Sequence, residues 1–239
     1  MTTTAAARPD ASTPRRPSTD TRTLDRWVAA LLMPLGPAAL AVLRFVLPYD
    51  TTDSPGEMVA AIDADQGVQE AVLWLGLVAV FTLVPGALAV VRLVRPYAPR
   101  LALATGALLV PGYLGLFGGA SIDTTVLVGL RAGIDPATLA QLVAAHDTAP
   151  QGIIAITVFV VGHIVGSVLL GVVFWRTRLV HRGWAVAMAA SQPLHLVAAM
   201  TGNHPLDLLG WGMTALAMGA AALVLLRTPD DQWDVPNRV

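Results

Sequence analysis

The side chains with chemical capacity lie inside or beside long apolar stretches, where an ionisable group is costly and marks a candidate site. His163 stands within Gly162-His163-Ile164-Val165-Gly166, and His195 follows Gln192 in a later stretch. His204 and Asp207 open the next stretch, and Arg44 lies near the end of the first. An imidazole titrates near neutrality, so His163 could serve a proton relay or line the path of a small solute, fed by acidic residues outside. Imidazoles with a carboxylate also suit zinc, copper or iron, and His163, His195 and His204 or Asp207 could form such a set. Two histidines could hold a haem. The simplest reading is that each imidazole hydrogen-bonds across helices as structural glue, adding about 0.6 to 2 kcal/mol.

Spacing favours this last reading. Neither His-x-x-x-His nor His-Glu-x-x-His occurs. At about 1.5 Å per residue, His163 and His195 differ in depth by about one turn on antiparallel helices, which counts against a haem between them. No cofactor is therefore expected, with haem or a divalent metal at these histidines as the alternative. Catalysis has little support: the chain has no Gly-x-Ser-x-Gly elbow, no phosphate-binding glycine loop, and nothing that frames Ser167 as a partner for His195. The absence of Cys excludes thiol nucleophiles, disulfides and thiolate metal sites.

The elements that must position these residues are apolar helices. The 239 residues are 55% hydrophobic and 13% charged, with a mean hydropathy of +0.64. Soluble domains carry nearly twice that share of charge, about 25%. A bilayer core needs about 20 apolar residues in helix. Six stretches qualify: 27–47, 71–91, 101–120, 152–175, 183–200 and 208–226. All fifteen basic residues are Arg, and under a six-span reading all but Arg44 and Arg131 fall on one side. The opposite loops hold Asp50, Asp53, Glu57, Asp63, Asp65, Glu70, Asp123, Asp135, Asp147 and Asp207. This asymmetry predicts a multi-pass protein of the bacterial cytoplasmic (inner) membrane with both termini in the cytoplasm. A cleaved signal peptide is the competing reading of the first stretch, but the apolar run continues far enough to span unaided. A net charge of −1 argues against a nucleic-acid partner, leaving the lipid bilayer, with a protein partner or a second copy left open.

The expected architecture is all-α: a polytopic bundle of six transmembrane helices in three hairpins, with two short extracytoplasmic helices. Ser54-Pro55-Gly56-Glu57 reads as a capping box that opens the first short helix, and Asp135-Pro136 opens the second over 137–145. Asn203-His204-Pro205 leads into the sixth span. Pro34, Pro37, Pro85, Pro111 and Pro193 should bend their helices, and Gly162, Gly166, Gly210 and Gly219 should let helices approach. Trp27, Tyr49, Trp74, Tyr97, Trp175, Trp184 and Trp211 sit at or near span ends and read as interface anchors. Arg44 is expected to snorkel to the headgroups, with Asp50, Asp123 or Asp207 as alternative partners. Residues 1–22 and 228–239 read as disordered cytoplasmic tails around a 23–227 membrane domain. The acidic loop at 50–65 fits no EF-hand spacing.

At Leu47-Pro48-Tyr49-Asp50-Thr51-Thr52-Asp53, followed by Glu57-Met58-Val59, the chain resembles multi-pass membrane proteins of GC-rich bacteria that join their first two spans by an acidic loop of this kind. The resemblance covers the first hairpin and the six-span plan. It implies no activity and carries over no site residues. The resulting expectation is a non-enzymatic integral membrane protein, with a small-molecule or proton-coupled transporter using a polar path near His163, and a metal- or haem-binding redox protein, as alternatives. The residues at stake are His163, His195, Gln192, His204, Asp207 and Arg44.

Overall fold

A computed structural model describes residues 20–233, without the side chains of 117–121. Helices account for nearly all of this span, and no strand occurs among the described residues. Long helices α1 (Arg22–Val46), α3 (Gln66–Val94), α4 (Pro99–Arg131), α6 (Pro150–Thr177), α7 (Arg182–Thr201) and α8 (His204–Arg227) contain the six apolar stretches, save Leu47 at the end of the first. Short helices α2 (Pro55–Ala64) and α5 (Pro136–Thr148) interrupt the first and second connections, and α9 (Asp230–Trp233) ends the described chain.

Four helices, α1, α3, α6 and α8, are long and apolar enough to cross a membrane. The shorter α7 is diluted by Ser191, Gln192, Pro193 and His195. The exterior is suited to lipid: Leu31, Phe81, Leu88, Leu103, Ile154 and Leu223 are each more than half exposed. Exposure of this kind across several helices would be an aggregation hazard in water.

Each long helix packs on the next in the chain, and α8 returns to α1, closing a ring of α1, α3, α4, α6, α7 and α8. One of the tightest approaches joins α4 to α6. A Cβ on Gly162 would stand 2.6 Å from the Leu108 carbonyl oxygen and 2.7 Å from Gly112 Cα, so these backbones touch where only glycine fits. Gly166 seats Leu109 in the same interface, whereas Gly219 has nothing nearer than Pro34 Cβ at 4.0 Å and supports no close approach. The helices continue through Pro34, Pro37, Pro85, Pro111 and Pro193.

The helix-start signals are built as their residues imply. The Ser54 hydroxyl accepts from Glu57 N, and Glu57 reaches back to Ser54 N at 2.8 Å. The Ser54 hydroxyl also donates to the Glu57 carboxylate at 2.7 Å, and this bond, with the one from Ser54 N, holds the carboxyl below its ordinary range. Asp135 caps α5 through Thr138 N, and Asn203 caps α8 through Leu206 N. Met58, Val59 and Ile62 of α2 and Leu139 and Val143 of α5 pack with Val126 and Leu127 of α4, covering one end of the ring. We call this the capped end.

At the opposite end, part of the expected C-terminal tail is ordered. Trp233 is buried, donates from Nε1 to Asp25 Oδ2 at 2.7 Å, and lies under the Arg92 guanidinium at 4.1 Å. Arg26 bonds the Thr228 carbonyl and pairs with Asp230 at 3.3 Å. A buried indole with a carboxylate and a cation beside it gives this segment a reason to fold that its polar composition hides. Residues 1–19 and 234–239 of the expected tails lie outside the described residues.

Among the expected interface anchors, Trp27, Trp74, Tyr97, Trp175 and Trp184 are exposed near helix ends. Tyr49 and Trp211 are not anchors: both turn inward, Trp211 to 1% exposure. Each has polar partners or ring neighbours inside the bundle that lipid would not supply.

Gly162→Ala should lower stability in detergent by about 1 to 3 kcal/mol, because the added methyl meets backbone that cannot yield. Gly212→Ala, with nothing within 4 Å of the added atom, should leave it unchanged or slightly raised. Thermal unfolding of the two variants beside the parent checks this.

Candidate functional site

Asp207 lies in the first turn of α8 and is 1% exposed. A buried carboxylate needs compensation, and two groups provide it. Arg44 of α1 donates from Nε to Oδ2 at 2.6 Å, and His195 of α7 donates from Nδ1 to Oδ1 at 2.5 Å. Gly210, one turn along α8, makes this approach possible: a Cβ there would sit 3.0 Å from His195 N.

Hydrogen-bonding partners assign the tautomers. The ionised carboxylate only accepts, so His195 Nδ1 carries a proton and Nε2 is the free basic position. His163 Nδ1 stands 2.5 Å from the Phe159 carbonyl oxygen, which also only accepts. Its lone pair is therefore at Nε2, which is buried without a hydrogen-bond partner.

The two imidazoles stand 5.5 Å apart, centre to centre. Trp211 packs against both, at 5.7 Å from His163 and 5.3 Å from His195, and Phe159 stacks on His163 at 4.2 Å. One turn further from the capped end, Gln192 donates to Thr214 at 2.7 Å, Thr214 to Ser191 at 2.8 Å, and Ser191 to the Met188 carbonyl at 2.9 Å. Gln192 Oε1 and Trp211 Nε1 are buried without partners. Beyond Ser167, the faces that α6, α7 and α8 turn to one another are apolar, built from Leu170, Phe174, Met188, Met218 and Leu225. The polar chain on these helices thus begins at the capped end and stops inside the bundle.

Above Asp207 lies the connection between α1 and α2. Thr51 donates to the Ala199 carbonyl at 2.8 Å and receives a 3.4 Å contact from Arg44. His204 pairs with Asp50 at 2.8 Å. Tyr49 donates to the Asp123 carboxylate at 2.9 Å. Burial pushes the Tyr49 hydroxyl well above its ordinary pKa, and the neighbouring Asp123 charge reinforces the shift.

The structure therefore brings together Arg44, Asp207, His195, His163 and Gln192, and places His204 apart with Asp50. Arg44 does not snorkel outward. It turns in, because Asp207 would otherwise be a buried charge with too little compensation. The one-turn depth offset expected for the histidines is not a separation, since their rings are neighbours. Trp211, expected as an interface anchor, and Thr214 and Ser191 join the site without having been candidates for it. Their signal was helical register: Asp207, Trp211 and Thr214 fall on one face of α8, and Ser191, Gln192 and His195 on one face of α7.

For a metal, the set is poor. Both Asp207 oxygens are engaged, His204 is drawn away, and no group of three His, Asp or Glu residues among the described ones is placed to hold an ion. For a haem, the imidazoles face Trp211 rather than an open gap. Among the described residues, two surface clefts bear on the site. One, of about 350 Å³, lies between α4 and α5 and is lined by Thr124, Val128, Ile134 and Leu142. The other, of about 340 Å³, lies at the opposite end between the start of α4 and the end of α6. Neither is lined by His163, His195 or Asp207. Compared with known protein families, curated proteins and solved structures, the chain matches none.

Asp207→Asn should destabilise the protein by about 3 kcal/mol, because Arg44 is left beside a neutral partner in a largely buried site. Arg44→Met combined with Asp207→Asn should cost less than the sum of the two single changes, with a coupling of about 1 to 3 kcal/mol. Equilibrium unfolding of the four proteins in mixed micelles measures that coupling.

Proposed function

We propose that this chain is an integral protein of the cytoplasmic membrane that works without catalysis. Six helices span the bilayer, the capped end faces outward, and both termini lie in the cytoplasm. Its working element takes up a proton from outside. The topology rests on the Arg asymmetry, with the acidic loops of the capped end on the side where Arg is scarce. The working element is the chain from Arg44 through Asp207 and His195 to His163.

The observation that carries this reading is the state of the two imidazoles. Each has its Nδ1 tied to an oxygen and its Nε2 free, inside a membrane bundle, next to a carboxylate already paired with Arg44. With both imidazoles neutral, Arg44 and Asp207 cancel. A proton arriving at His195 Nε2 leaves the group with one net positive charge in a poorly solvated place. The groups facing His195 are Asp207 and Trp211 of α8, His163 of α6 and, through Asp207, Arg44 of α1. The added charge must be relieved by moving those helices relative to one another or by admitting water. Because the faces beyond Ser167 are apolar, the proton enters and leaves by the same side. This supports a response to external pH, read out by packing and passed to a protein partner, over proton transport across the bilayer.

Trp211 touches both imidazoles, so its emission should report the event. In vesicles of uniform orientation, the difference in fluorescence between the parent and Trp211→Phe should change with external pH and not with internal pH. His195→Gln should abolish the titration. A signal that ignores external pH, or follows the internal side equally, would refute the proposal.

A further inference from the structure

The end opposite the capped one carries a feature unrelated to the histidines. The turn between α3 and α4 and the last turn of α6 enclose the 340 Å³ cleft, lined by Tyr97, Arg100, Leu101, Arg176 and Thr177. Arg100 and Arg176 are exposed, and neither has an ion-pair partner among the described residues. Their situation differs from that of Arg26 and Arg92 at the same end, which are held by Asp230 and Asp25. No carboxylate occurs in residues 95–100 or 176–182, while Arg95, Arg178 and Arg182 add three further cations to these short segments. Two cations without an ion-pair partner among the described residues thus line the cleft, and three more stand in the segments that form it. Pro99 begins α4 at the cleft, so the positive end of a 33-residue helix adds to the two guanidiniums.

The surroundings specify the ligand further. Tyr97, Trp175 and Trp184 are exposed near the same level, as aromatic side chains are at the boundary between headgroups and hydrocarbon. Arg182 lies over the Trp175 ring at 4.8 Å, which keeps its charge at that boundary. Leu103, one turn along α4 from the cleft, is 74% exposed and continues into the apolar flank of the bundle. A ligand here would have an anionic head among the guanidiniums and an apolar tail along α4. We propose that this cleft binds the phosphate of an anionic phospholipid headgroup. Arg suits the task because its planar fork can give two hydrogen bonds to one phosphate, and basic pockets between membrane helices on the cytoplasmic side recognise such headgroups.

The test uses the full chain in nanodiscs of phosphatidylglycerol and phosphatidylcholine, with retained lipids counted by native mass spectrometry after release into detergent. The parent should retain phosphatidylglycerol in preference. That preference should fall about tenfold to thirtyfold in Arg100→Gln/Arg176→Gln and persist in Arg227→Gln, a cation at the same end outside the cleft. Arg100→Lys/Arg176→Lys keeps the charge without the fork and should retain part of the preference, which separates lost recognition from lost folding. An undiminished preference in the Gln double variant would overturn the assignment. Full displacement of phosphatidylglycerol by inorganic phosphate would also overturn it, making the cleft a site for a soluble anion.

Discussion

A carboxylate at 1% exposure among apolar helices constrains everything around it. Asp207 can remain ionised only if cationic or hydrogen-bonding groups reach both of its oxygens, and those groups come from different helices, Arg44 from α1 and His195 from α7. Meeting that requirement brings α8 against both neighbours and closes the helix ring. It also fixes the His195 tautomer, which directs the free nitrogen away from the carboxylate. The connection between α1 and α2 then lies over the charges, held by Thr51 on the Ala199 carbonyl and by Asp50 on His204.

Packing alone, without the charges, would leave the other half of the ring much as it is. There the apolar faces around Phe174, Met188 and Leu225 contain no polar requirement to satisfy. The molecule is therefore divided along its long axis, with a hydrogen-bonded polar region under the α2–α5 cap and a dry region beyond it. A buried polar network is costly when half satisfied, so the unpartnered His163 Nε2, Gln192 Oε1 and Trp211 Nε1 are where a proton or a water has most to gain. The unpartnered polar atoms of this network thus lie in the capped half, and apolar faces fill the other.

The two ends meet the bilayer differently. The capped end is acidic and folded over itself by two short helices, while the opposite end presents uncompensated Arg side chains and exposed aromatics. Arg stays charged and hydrated at a membrane surface, whereas Asp and Glu there face the anionic headgroups unfavourably. One rule of electrostatics thus supports both the orientation proposed for the chain and the lipid contact proposed at its basic end.

Helix positions were legible because their causes are local. Apolar length, Pro at the first helical position and caps such as Ser54, Asp135 and Asn203 act within a few residues, and each forms as its sequence implies. His163, His195, Gln192, Asp207 and Arg44 stood out for a similarly local reason, as polar side chains set in or beside apolar runs. What the sequence left open was direction and partner. Arg44 read as a snorkelling residue and Trp211 and Tyr49 as anchors, because proximity to a span end is all that linear order records. Tertiary structure decided otherwise, pairing Arg44 with Asp207 across 163 positions and packing Trp211 against two neighbouring histidines. Trp233 was hidden in the same way, since the residues that bury it, Asp25 and Arg92, are remote in the chain. Helix formation depends on neighbours in sequence. Compensation of a buried charge depends on whichever helix can reach it, and only the closed ring determines which one does.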